Sequence, residues 1–184
     1  MWIDNDMDVR RVTDLADRVC CWPKFMQIDH FTSGHCHELA FALAKLTGYP
    51  IGVLWHPRHW HAEPDAQGNG GVHHAIHVCV TDPEGFVIDI LGRQSLDEMR
   101  RRMEPFASRP ARWEEFVYEH VTMERFVELV EDVGCLADFG MDERDEAVEV
   151  IRHHPELRAI VSRIDPSFAP PSEPPSGPPP LPGF

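Results

Sequence analysis

The segment AIHVCVTDPEGFVIDIL, residues 75 to 91, restricts the fold of this chain more than any other stretch. Two runs of strand length flank Asp82-Pro83-Glu84-Gly85. The Asp82 side chain can bond the backbone two residues on, Pro83 suits the second position of a type I turn, and Gly85 accepts the left-handed conformation of a three-residue bulged loop. That turn sets Asp82 opposite Phe86, and therefore Cys79 opposite Asp89 and His77 opposite Leu91. One face then carries Ile76, Val78, Val80, Phe86, Ile88 and Ile90, all apolar and directed at a core. His77 and Asp89 share the other face as diagonal neighbours, about 7–8 Å apart at the backbone. A carboxylate inside the apolar run FVIDIL is costly unless it is paired.

Upstream, SGHCHELAFALAKL carries apolar residues at 36, 39, 40, 43 and 46, the spacing of an amphipathic helix. Ser33 is the expected cap and Gly48 the expected stop, which puts Cys36 in the first turn. IGVLW (51–55) reads as a short apolar strand, and 56–72 as a long His-, Gly- and Pro-rich loop. After the hairpin come a polar helix over 95–103, a last strand within 113–121, and a helix capped by Thr122 that runs to about Asp132 and ends at Gly134. Two short helices divided by Pro155 follow. The fold class expected is α+β, with a Cys-bearing helix packed on an antiparallel sheet and a helical C-terminal part.

With 42% of 184 residues hydrophobic and 26% charged, the chain has the balance of one globular domain. Nine of its 17 prolines fall in residues 165–184, which predicts a domain over 1–164 and a disordered proline-rich tail. The tail reads as a spacer, with its PPPLP stretch as the feature an aromatic-lined groove would take as a partner. A net charge of −14 argues against nucleic acid. No apolar run reaches membrane-spanning length and the first residues lack a signal-peptide core, so the expectation is a cytoplasmic protein without a membrane partner. The odd count of five cysteines reads as free thiols.

Cys36, His77 and Asp89 are the candidate catalytic residues. A thiol is nucleophilic as thiolate, and the first turn of a helix stabilises that anion through its free N–H groups and dipole. A histidine on a neighbouring strand could shuttle the proton while a carboxylate orients the ring. The plainer alternative is a packed, inert Cys36 and a His77 that closes a strand end. A metal site is the second candidate: His56, His59, His61, His73, His74 and His77 gather around one loop, and Cys36 lies between His35 and His37. No CxxC or HExxH spacing accompanies them, so a solvated loop is the preferred reading and no metal or other cofactor is assigned. A zinc-binding His-rich module and a non-catalytic adaptor or virion-type component that kept the fold are the rival functions.

The order of a cysteine opening a helix in SGHCHELAFALAKLTGYP, a histidine in HVCV and an aspartate in FVIDILG resembles the papain-like superfamily, in its compact transglutaminase-like and bacterial or phage branches. The resemblance covers residues 33–92. It implies a helix packed on an antiparallel sheet, with Cys36, His77 and Asp89 as nucleophile, base and orienting acid. It further implies a cysteine hydrolase that cleaves an amide or related acyl bond of a peptide or protein substrate through a thioester.

Overall fold

The computed structural model describes residues 23–32, 34–57, 75–106, 111–131 and 141–170. Helices α1 (Lys24–Thr32) and α2 (Cys36–Thr47) precede strand β1 (Ile51–Trp55). Strands β2 (Ala75–Thr81), β3 (Val87–Asp89) and β4 (Gly92–Gln94) follow, then α3 (Leu96–Met103), β5 (Val117–Val121), α4 (Met123–Glu131), α5 (Met141–His153) and α6 (Pro155–Ser162). The five strands form one sheet in the order β4-β3-β2-β1-β5, with every neighbouring pair antiparallel. The fold is α+β as expected. No helix of the described residues is long and apolar enough to cross a membrane.

The Asp82–Gly85 turn forms by the chemistry its sequence suggests. Asp82 Oδ1 accepts from the N–H groups of Glu84 and Phe86, each at 2.9 Å, and Gly85 has φ 86°. The register follows, with Val80 facing Ile88 and Thr81 facing Val87. Beyond that the chain departs from the expected long hairpin. It turns at Ile90–Leu91 and returns as β4, so Asp89 sits at a strand end beside a second tight turn.

Two residues leave the face that strict alternation gives them. Leu54 pairs with His77 and Trp55 with Ala75, so Ile76 is an extra residue in β2. A bulge bends its strand and re-aims the adjacent side chains. Ile76 consequently packs with Leu54, Val87 and Met99 instead of with Val78 and Val80. Phe86 lies in the loop before β3, is 36% exposed, and stacks under the Arg93 guanidinium at 3.7 Å.

Both sheet faces are covered, which is why β1 is buried along its whole length. On one face α2, α5 and α6 bury Leu39, Leu43, Ile51, Val78, Ile88 and Ile151. On the other, Met99 and Met103 of α3 join Phe116, Leu54 and Cys79. Each such side chain contributes roughly 1.5–3 kcal/mol when fully buried. Ser95 and Glu98 cap α3 reciprocally, Arg125 N–H donates to the Thr122 cap of α4, and Gly48 closes α2 with φ 72°. His154 is buried and accepts the N–H of Leu157 as the N-cap of α6. Burial holds its pKa below the ordinary value, which suits a neutral acceptor.

Asp165–Phe168 of the expected tail forms a short 3-10 turn (Pro166–Phe168) whose Phe168 is 3% exposed and packs into the core under Arg152. The folded part therefore extends past residue 164. Residues 171–184 lie outside the described residues, as do Ser33, Gly134, and the cysteines at 20, 21 and 135.

Candidate active site

Cys36 is the first residue of α2, with His35 at the N-cap position and φ −106°. The His35 ring makes no bond to a free amide of the helix; its Nδ1 meets Glu38 Oε1 at 2.6 Å. The N–H of a residue at this helix position has no intrahelical acceptor, which leaves that of Cys36 available to an anion. α2 lies along β2, the strand that carries His77.

The structure brings His77 and Asp89 together as the hairpin register implies. His77 Nε2–H donates to Asp89 Oδ2 at 2.9 Å, with His77 wholly buried and Asp89 2% exposed. This bond fixes the tautomer and leaves Nδ1 as the ring nitrogen that Asp89 does not engage. Nδ1 forms no hydrogen bond of ordinary geometry, although the ring and the Cys36 thiol lie close enough to shift each other's protonation. A slack contact of this kind is common before substrate tightens a site.

Asp89 is more completely held than any sequence pattern suggests. Its Oδ1 accepts from the Leu91 backbone N–H at 2.8 Å and from Gln94 Nε2 at 3.0 Å. Its Oδ2 accepts from Arg102 as well as from His77, and Arg102 Nη1 also donates to Gln94 Oε1 at 2.8 Å. The Ile90–Leu91 turn brings Leu91 and Gln94 to the carboxylate, and α3 brings Arg102. Burial pushes the Asp89 pKa up, but the hydrogen bond and charge of His77, then the charge of Arg102, more than offset this and hold it below the usual carboxylate range.

The thiol and imidazole behave as a pair. Burial raises the Cys36 pKa, but the positive charge of His77 and the nearby His37 and His77 rings outweigh it, and the thiol is lowered to about 6. Burial lowers that of His77, but the Cys36 charge and the Asp89 hydrogen bond prevail and raise it to about 9. The two shifts run in the direction that favours a thiolate beside an imidazolium.

Sequence reasoning weighed His37 only as a metal ligand beside Cys36 and assigned nothing to Gln94 or Arg102. A buried histidine directly after the candidate nucleophile carried a signal, while Arg102 in the polar run MRRRM carried none. Of the loop histidines, His56 is buried at the end of β1, and His59, His61, His73 and His74 lie outside the described residues. A groove of about 580 Å³ at the C-terminal end of α2, lined by Lys45, Tyr49, Pro50 and His120 among others, is remote from this chemistry. The length of the 12-residue helix, about 18 Å, separates it from Cys36. No family model, no curated protein and no solved structure matches the chain.

Proposed function

We propose that the protein is a cysteine hydrolase of papain-like type, acting on an amide or related acyl bond of a peptide or protein. One observation carries the reading: the imidazole that bonds buried Asp89 through Nε2 lies close enough to a cysteine on the first residue of a helix for the two to shift each other's protonation. Packing alone asks for no such order of thiol, ring and carboxylate.

The chemistry follows from that order. The Cys36 thiolate attacks the carbonyl carbon, and the oxygen that becomes anionic is met by the Cys36 N–H and the dipole of α2. His77 delivers the Nδ1 proton to the leaving group as the bond to it breaks, which leaves a thioester on Cys36. Neutral His77 then takes a proton from water as the water attacks the thioester. The tetrahedral intermediate collapses with Cys36 leaving as thiolate, the acid departs, and the thiolate beside the protonated ring restores the starting pair. Asp89 stays ionised throughout, orients the ring and stabilises the imidazolium.

The test is to trap the acyl-enzyme. With p-nitrophenyl acetate as the probe, the wild-type chain should release a burst of nitrophenol and carry one acetyl group that maps to Cys36, and Cys36→Ala should give neither. An acetyl group on another residue, or an equal burst from Cys36→Ala, would remove the assignment.

A further inference from the structure

Outside the catalytic candidates, one group of ligating atoms among the described residues converges on a single point: His30, His35 and Glu38. His30 lies in the last turn of α1, Gly34 has φ 112° between the helices, His35 precedes α2, and Glu38 lies in its first turn. We propose that these three residues form a site for one divalent transition cation of the zinc class, which ties α1 to the start of α2.

The geometry suits such an ion. The two imidazoles stack with centroids 3.9 Å apart and planes 13° from parallel, and one ligand atom from each of the three residues lies within 4.8 Å of the others. Donor atoms on a tetrahedral zinc, with bonds of about 2.0–2.1 Å, stand about 3.3 Å apart. That spacing falls between the 2.6 Å of His35 Nδ1 to Glu38 Oε1 and the outer 4.8 Å, so side-chain rotations can seat the ion.

Charge and burial agree with it. Glu38 is a buried carboxylate, and a hydrogen bond from a neutral imidazole compensates its desolvation less than a divalent cation does. Two neutral imidazoles stacked in parallel can ligate together, whereas two protonated ones would repel each other. The histidines are half-buried, which gives an ion a way in and leaves a coordination position for water. Two imidazoles and one carboxylate form a donor set that zinc accepts. Cys36 is not a member of the group, so the site does not call on its thiol as a ligand and the proposal does not depend on the hydrolase reading.

The experiment is zinc titration of the full chain with metal analysis, beside His30→Ala, Glu38→Gln and a variant with His59, His61, His73 and His74 all replaced by Ala. One zinc per wild-type chain is expected, with a rise in the thermal midpoint as zinc is added. His30→Ala and Glu38→Gln should bind at least tenfold more weakly, while the loop variant binds as the wild type does. Cobalt(II) in place of zinc should give a spectrum without sulfur-to-metal charge transfer. His30 is half-buried, so His30→Ala decides the matter if Glu38→Gln fails to fold. No stoichiometric zinc, wild-type binding by His30→Ala, loss of binding in the loop variant, or sulfur ligation of cobalt would each overturn the site.

Discussion

Cys36 and Cys79 are both buried, yet their thiols are driven in opposite directions. Cys79 lies two residues beyond His77 on β2, next to the Tyr118 hydroxyl at 3.5 Å and the Gly52 carbonyl, and burial raises its pKa well above the ordinary value. Cys36 feels the same desolvation, but the charge of nearby His77 lowers its pKa. Burial makes a thiol inert unless a cation shares the site. Iodoacetamide near pH 7, with chelator present, should therefore modify Cys36 at least tenfold faster than Cys79 by peptide mapping. Equal rates would mean that His77 does not activate the thiol.

The pair also sets a pH profile. Cys36 alkylation should rise as pH increases through about 6, where the thiolate forms, and acyl transfer should fall as pH passes about 9, where His77 loses the proton it must donate. The sign follows from which form reacts: the thiol is lowered, so its active form appears above the shifted value; the imidazole is raised, so its active form persists below its own. In His77→Ala the alkylation limb should move up toward 9.0, the ordinary thiol value. A limb that stays in place would assign the shift to another group.

Arg102 should matter through Asp89. Arg102→Met leaves a buried carboxylate short of one charged donor, which costs about 1–3 kcal/mol in urea unfolding. The lost charge should also let the Asp89 pKa rise and bring an acid limb into the acyl-transfer profile earlier than in the wild type. Arg102→Lys should restore part of both. An unchanged profile in Arg102→Met would reduce the arginine to a packing role.

How far the sequence revealed this site depends on the range of each interaction. The Asp82–Gly85 turn is local, its chemistry is written in four adjacent residues, and it carries the His77–Asp89 register with it. Cys36 at a helix start was likewise readable from apolar spacing, although His35 stands at the N-cap position and the expected cap, Ser33, lies outside the described residues. The Ile76 bulge was not readable, because it answers to the pairing of β2 with β1 across a long connection. Neither was Arg102, whose role exists only once α3 has docked against a turn eleven residues behind it. The His30–His35–Glu38 group depends on how α1 folds back on α2, and no spacing rule marks it.

The C-terminal boundary can be tested by two changes. Truncation after Pro170 should leave the thermal midpoint within a few degrees, since a proline-rich segment buries too little apolar surface to offset its ordering entropy. Phe168→Ala should cost about 3–5 kcal/mol, as expected for removing a buried aromatic ring. A large drop on truncation would mean that residues 171–184 pack onto the domain.

The rate of Cys36 acetylation by p-nitrophenyl acetate in His77→Ala, measured at pH 7.5 beside Asp89→Asn and the wild type, tests the central claim most directly. Removing a general base that also holds the thiolate should slow acylation by roughly 10²–10⁴, and Asp89→Asn should slow it less, with Cys36 still open to alkylation. Wild-type acylation in a folded His77→Ala protein would contradict the account, because Cys36 would then owe its reactivity to something other than the His77–Asp89 pair.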